Sequence, residues 1–225
     1  MKKFLLFAIL FLPLFGLAQT SDPSTETNED AATILTRIIT SNPKDTGAYI
    51  SRGDIRTGQR NYKGAIADYS EALALNPSDA NTWYRRAQAR SEAQDDKGAI
   101  ADYAKSLELK PDNADAWYNL GVLKATGDNY KGAITAWTHT INLDTNYPDV
   151  WYNRALAKVK ILDYNGAVYD YTKAIALNPK SAEAYYGRGN ARHHTPDKTG
   201  ACEDWEKALK LGYKEAFENI KNFCR

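Results

Sequence analysis

The residue types able to do chemistry are few in this chain and poorly arranged for it. There are three histidines, and two of them, His193 and His194, are neighbours. Adjacent residues on a helix do not face one site. No His-Glu-x-x-His pair, Cys-x-x-Cys pair or carboxylate cluster joins them or His139, so metal binding is not expected. The glycines are evenly spread, not gathered into a phosphate-cradling loop. No Gly-x-Ser-x-Gly elbow occurs, and neither cysteine has a plausible histidine partner. An enzyme is therefore not expected, and an accessory domain with hidden catalytic histidines is the least favoured reading. No cofactor is implied.

The chemistry left is recognition by side chains repeated at a fixed interval. A unit of 34 residues runs five times without insertion, from Thr46, Ala80, Ala114, Pro148 and Ala182. Position 4 of each unit is aromatic (Tyr49, Trp83, Trp117, Trp151, Tyr185) and position 8 is small (Gly53, Ala87, Gly121, Ala155, Gly189). Positions 19 and 20 are Gly-Ala in every copy, from Gly64-Ala65 to Gly200-Ala201. Position 24 is again aromatic (Tyr69, Tyr103, Trp137, Tyr171, Trp205), and position 27 is Ala72, Ser106, Thr140, Ala174 or Ala208. Pro77, Pro111 and Pro179 close three units, as Pro43 closes the segment before the first. A fixed period of this length signals stacked supersecondary units.

The pattern resembles the tetratricopeptide repeat from Thr46 to about Glu215. The resemblance implies an all-α, right-handed α-α superhelix of five helix-turn-helix repeats. Position 11 departs from the family's frequent tyrosine: it is Arg56, Arg90, Lys124, Lys158 and Arg192. Helix A is expected over about positions 2 to 14 and helix B over about 17 to 30. The residue before proline disfavours helical backbone and ends helix B. All five tryptophans fall on positions 4 or 24, which the period assigns to core and not to a ligand box.

The repeats span residues 46–79, 80–113, 114–147, 148–181 and 182–213. Residues 29–45, with Ala32, Leu35, Ile38 and Ile39 at helical spacing, read as an N-terminal capping helix. Residues 214–225, with Ala216, Phe217, Ile220 and Phe223 on one face, read as the C-terminal cap that a solenoid needs. Residues 1–18 read as a secretory signal: Lys2 and Lys3, an apolar run from Phe4 to Leu12, then Gly16-Leu17-Ala18. The polar residues 19–28 read as a flexible linker. Gln19, not cysteine, follows the expected cleavage point, which argues against a lipid anchor.

Charge narrows the partner. The chain carries 29 basic and 28 acidic side chains. Removal of Lys2 and Lys3 with the signal leaves 27 against 28, a net charge of −1. That balance argues against nucleic acid, which needs clustered positive charge, and gives no reason to expect binding to anionic membranes; no other apolar run approaches membrane length, so no stable membrane insertion is expected after signal removal.

Two pairings follow from the repeat. Position 7 is Arg52, Arg86, Leu120, Arg154, Arg188, and position 23 is Asp68, Asp102, Ala136, Asp170, Asp204. Both charges vanish together in the third unit, so each arginine is expected to pair with its aspartate between packed helices. Cys202 opens helix B of the fifth unit and Cys224 closes the cap helix. The turn between them lies near Gly212 and Tyr213, so antiparallel packing brings the two together. An exported chain favours a bridge there.

The helix A face opposite the packing face is the expected ligand surface. In the tetratricopeptide family that face lines a peptide-holding concave groove. Here it presents Tyr84, Tyr118, Tyr152 and Tyr186 at position 5, Arg85, Asn119 and Asn153 at position 6, and Gln88 and Asn190 at position 9. Tyrosine offers an apolar face with a polar tip, and asparagine both donates and accepts hydrogen bonds. The set suits sequence-tolerant binding of an extended segment. Position 5 carries no lysine, which disfavours the terminal-carboxylate ligands of the family's chaperone-tail receptors. The expected function is a non-catalytic protein- or peptide-binding scaffold or assembly factor of a bacterial cell envelope, periplasmic or secreted. The alternative is a factor that recognises glycan or peptidoglycan strands.

Overall fold

The computed structural model describes residues 23–147 and 149–224. The expected signal and its cleavage point lie outside the described residues, as do residues 19–22 of the expected linker.

The described residues form twelve α-helices. Helix α1 is Pro23–Ser41. Five hairpins follow: α2 Thr46–Gly58 with α3 Tyr62–Leu75, α4 Ala80–Glu92 with α5 Asp96–Leu109, and α6 Ala114–Thr126 with α7 Tyr130–Leu143. Next come α8 Val150–Lys160 with α9 Tyr164–Leu177, and α10 Ala182–His193 with α11 Lys198–Lys210. Helix α12 is Ala216–Phe223. Each helix packs on the one before and the one after it, as in a solenoid.

Helix starts follow from capping chemistry. Asn61, Asp95, Asn129, Asp163 and Asp197, one per unit, each accept the backbone N–H of the glycine at position 19. A Cβ at that glycine would collide with the capping side chain. Position 19 is thus glycine because of the cap beside it. In the first four units the turn between helices passes through one left-handed residue: Arg60, Gln94, Asp128 or Leu162.

Two helices, α1 and α12, differ from the sequence reading. Helix α1 begins at Pro23, so residues 23–28 are helical instead of linker. Proline is tolerated at a first helical position because its missing N–H has no partner there anyway. On α1, Ile39 is buried but Ile38 is 38% exposed. On α12, Ala216 is buried while Phe217 is 53% exposed. A terminal helix has a neighbour on one side only, so part of its apolar set faces outward.

The position 24 aromatics are the deep core: Tyr69, Tyr103, Trp137, Tyr171 and Trp205 are all buried. Of the position 4 tryptophans, only Trp151 is buried; Trp83 and Trp117 are half-exposed. Their indole N–H groups donate to the carbonyls of Pro77 and Pro111, and Trp117 stacks on His139 at 4.1 Å. Those two therefore stand at the margin of the core, where Trp117 still packs against the cluster that holds Tyr103 and Leu120 and each indole tethers the end of the repeat before it.

All four arginine–aspartate pairs form, at 2.6 to 2.8 Å. Each aspartate also takes the position 11 cation: Arg56, Arg90, Lys158 or Arg192. Each position 7 arginine donates backward to a hydroxyl of the preceding helix B: Arg52 to Thr36, Arg86 to Ser70, Arg154 to Thr138 and Arg188 to Thr172. Where the arginine is Leu120, the residue at that place in the preceding helix is Ala104. The arginine, its aspartate and the hydroxyl behind it are therefore all missing at the third repeat, where only the position 11 cation, Lys124, remains.

Candidate functional site

The third-to-fourth junction departs from the others and opens the site. Helices α2, α4, α6 and α10 begin after an Asp, Asn or Ser whose side chain caps the first turn. The corresponding residue before α8 is Tyr147, which cannot cap. Asp149 instead adopts a left-handed conformation, φ 59°, with no side-chain cap bond. Tyr147 turns into the groove, where its hydroxyl donates to Asp115 at 2.8 Å and its ring lies 4.9 Å from that of Tyr118.

Beside this junction is a concave cavity of about 780 Å³, walled by Tyr118, Asp149, Tyr152, Asn153, Leu177 and Glu183 among others. A smaller one, about 270 Å³, lies between α6 and α8 against Val122, Tyr130, Trp137 and Leu156. The inner face thus combines aromatic, amide and carboxylate groups with an apolar floor.

The sequence-predicted residues fall into two groups. Tyr84, Tyr118 and Tyr152 line the inner face, each half-buried. Tyr84 and Tyr152 pack edge-on against the core rings of Tyr103 and Tyr171, at 5.7 Å in both cases. Asn153 donates to the Tyr118 hydroxyl at 2.9 Å, and so bridges the third and fourth repeats while still lining the cavity. Gln88 donates to Tyr84 at 3.0 Å.

Three residues are already occupied. Arg85 pairs with Asp54 at 2.7 Å, a link between the first two repeats. Tyr186 stacks on Tyr213 at 4.5 Å. Asn190 accepts from the Trp205 indole and from Asn219 of α12, both at 2.9 Å. The cap helix stands where a sixth repeat would continue the groove, so Asn190 belongs to the cap contact.

The sequence reading missed position 2, which is Asp115, Asp149 and Glu183 in the last three units. Each acid stands by the tyrosine of the preceding repeat. Burial first, then the negative charge of Asp115, Asp149 or Glu183, raises the hydroxyl pKa of Tyr84, Tyr118 or Tyr152. The signal was present as a recurring acid one residue into helix A, but there it reads equally well as a helix-dipole residue. Tyr147 was missed because it replaces a cap and matches no repeated aromatic position.

Cys202 and Cys224 are joined by a disulfide with Cα atoms 5.7 Å apart. Among the described residues no group of acidic, histidine or cysteine side chains is arranged to hold a metal, and no helix is long and apolar enough to cross a membrane.

The profile described as TPR repeat matches residues 53–94, 90–127 and 163–195. No curated protein matches the sequence. Among solved structures, MamA superposes with a TM-score of 0.70 at 27% identity, over 76% of this chain and 94% of MamA. YrrB, described as a TPR protein with an unusual peptide-binding site, gives 0.76 at 21% identity, over 84% of this chain and 99% of YrrB. The C-terminal part of a TPR repeat-containing protein from Cytophaga hutchinsonii gives 0.74 at 18% identity, over 89% and 84%. The period, the twelve-helix stack and these matches agree, and the chain belongs to the tetratricopeptide-repeat family.

Proposed function

We propose that the protein is a non-catalytic scaffold or assembly factor of the bacterial cell envelope that holds an extended segment of a partner protein along its inner face. The observation that carries this is the cavity of about 780 Å³ between Tyr118, Tyr152 and Asn153. Its tyrosines present flat apolar surface with polar tips, and its amides suit an extended backbone. The peptide-binding site of the similarly folded YrrB supports the reading. Export rests on the signal-like residues 1–18.

The test is capture of the partner from envelope extract by the full chain, with a photo-crosslinker at Asn153. The expected bait crosslinks at Asn153, is destroyed by protease and survives glycan hydrolase. Binding is lost in Tyr118→Ala plus Tyr152→Ala while helical circular dichroism is retained. Destruction by glycan hydrolase instead favours the glycan reading. Mass spectrometry of the exported chain is expected to find a start at Gln19; retention of residues 1–18 overturns cleavage.

A further inference from the structure

The two terminal helices are complementary halves of a repeat. Counted back by the 34-residue period, α1 is a helix B, with Thr36, Ile39 and Pro43 on positions 25, 28 and 32. The structure keeps that register. Thr36 accepts from Arg52 as Ser70 does from Arg86 and Thr138 from Arg154, and Ile39 is buried as Leu73, Leu107 and Ile141 are. The face that meets helix A in every complete repeat is bare. Position 23 is buried in all five repeats, yet on α1 it is Ile34, 54% exposed. Beside it stand the half-exposed Leu35 at position 24 and the exposed Ile38 at position 27.

Helix α12 is the opposite half, a helix A. Tyr213 packs on Tyr186 as Tyr147 does on Tyr118, at 4.5 and 4.9 Å. Three residues on, Ala216 is buried as Val150 is. Asn219 reaches back to the helix A before it, as Asn153 does. That alignment puts Phe217 on position 4, Ile220 on position 7 and Lys221 on position 8. Within a repeat, position 7 meets position 23 and position 4 meets position 26: Arg154 pairs with Asp170, and Trp117 stacks on His139. Across two copies the first rule sets Ile220 against Ile34, apolar on both sides like Leu120 and Ala136. The second sets exposed Phe217 against exposed Arg37, a cation over a ring like Lys207 over Tyr185 at 5.9 Å. At position 8 a lysine replaces the glycine or alanine of the five repeats, and at position 24 a leucine replaces their larger aromatic. Volume is thus exchanged between the two sides, and the lysine stem can cover Leu35 with its ammonium in water.

We propose that α12 of one copy of this chain packs against α1 of the next, completing a repeat shared between two molecules. A second copy is the occupant because each end presents what the other lacks among the described residues: a helix B without its helix A, and a helix A without its helix B. The match at positions 7 and 23 leaves no charge opposite an apolar residue, the mismatch that the complete repeats also avoid. The contact is head to tail, so each added copy leaves the same two surfaces open at the ends, and assembly continues past a dimer.

Sedimentation velocity of the exported full chain over a concentration series is expected to show a mass that climbs past two copies without a plateau. Ile34→Asp and Ile220→Arg each set a charge against an apolar partner, and each alone is expected to weaken association at least about tenfold. Mixed in equal amounts, the two variants are expected to assemble again. At one junction of the mixture the introduced arginine meets the introduced aspartate, as Arg154 meets Asp170, and at the next isoleucine meets isoleucine. Phe217→Lys, at an exposed site, brings like charges together at Arg37 and is expected to block assembly with the melting temperature unchanged. Head-to-tail assembly is overturned by a chain that stays monomeric to its solubility limit, or by a plateau at two copies, which means like-to-like pairing. Unchanged assembly in Phe217→Lys overturns it too, as does a mixture of folded Ile34→Asp and Ile220→Arg chains no larger than its components. A monomeric chain whose melting temperature falls in Ile34→Asp overturns it in favour of cover by preceding residues of the same chain.

Discussion

Arg154 and Asp170 meet as a two-bond fork between α8 and α9, with Nε and Nη2 donating to the two carboxylate oxygens at 2.8 and 2.7 Å. Asp170 is wholly buried, and Lys158 reaches the same carboxylate at 2.8 Å. The third Arg154 donor reaches back to Thr138. One arginine therefore ties together both helices of its own repeat and the repeat before it.

Asp170→Ala is expected to destabilise the chain by about 3–5 kcal/mol, because it strands buried cations. The third repeat shows how to avoid that cost. Thr138→Ala, Arg154→Leu and Asp170→Ala together reproduce the Ala104, Leu120, Ala136 set, and most of the loss is expected to be recovered. Urea denaturation of the single and triple variants decides it. Equal losses in both would mean that the charges do not act as a unit.

The aromatic positions make a graded prediction. Trp137 is 3% exposed and its indole donates to the Tyr118 carbonyl at 3.2 Å. Trp137→Ala is expected to cost about 3–5 kcal/mol. Trp117, half-exposed and stacked on His139, is expected to cost clearly less. Thermal melts of the two variants test the order, and a larger loss at Trp117 would contradict the burial described.

The fold was legible because every repeat reuses the same solution. Five copies of the position 20 alanine and the position 24 aromatic average out local ambiguity, and the joint loss at Leu120 and Ala136 exposed the ion pairs. The hydroxyls of Thr138 and Thr172 escaped notice because their partners lie in the next repeat, and register between repeats is not written in either alone. The site was legible where it follows the period, as at Tyr118 and Asn153. It was illegible where the period fails. Tyr147 acts by replacing a cap, and Asn190 is claimed by Asn219 of a helix outside the five repeats.

Reduction of Cys202–Cys224 should loosen the C-terminal end first. The bridge spans 22 residues and holds α12, which otherwise contributes buried Ala216 and the Asn219–Asn190 bond. Closing a loop of that length is worth about 3 kcal/mol by the chain-entropy estimate. Reductant is expected to lower the melting temperature and to abolish hydrogen-exchange protection in α12 before α11. Thiol titration of the unfolded, unreduced chain should find no free thiol; two free thiols would rule the bridge out.

Leu162 is the position where local strain is most exposed to test. It sits in the α8–α9 turn with φ 64°, a left-handed conformation that branched or bulky residues rarely adopt. Its side chain is 69% exposed, so little packing rewards the strain. The equivalent residues Arg60, Gln94 and Asp128 share the conformation, which shows that the turn requires it whatever the side chain. Left-handed backbone costs an L-residue about 1–2 kcal/mol, and asparagine tolerates it by bonding locally. Leu162→Asn is therefore expected to raise stability by about 1 kcal/mol, a shift of a few degrees in melting temperature. Glycine would relieve the same strain but loses part of the gain to the greater freedom of its unfolded chain. An unchanged or lower melting temperature in Leu162→Asn would show that the exposed leucine makes a contribution outweighing its backbone strain.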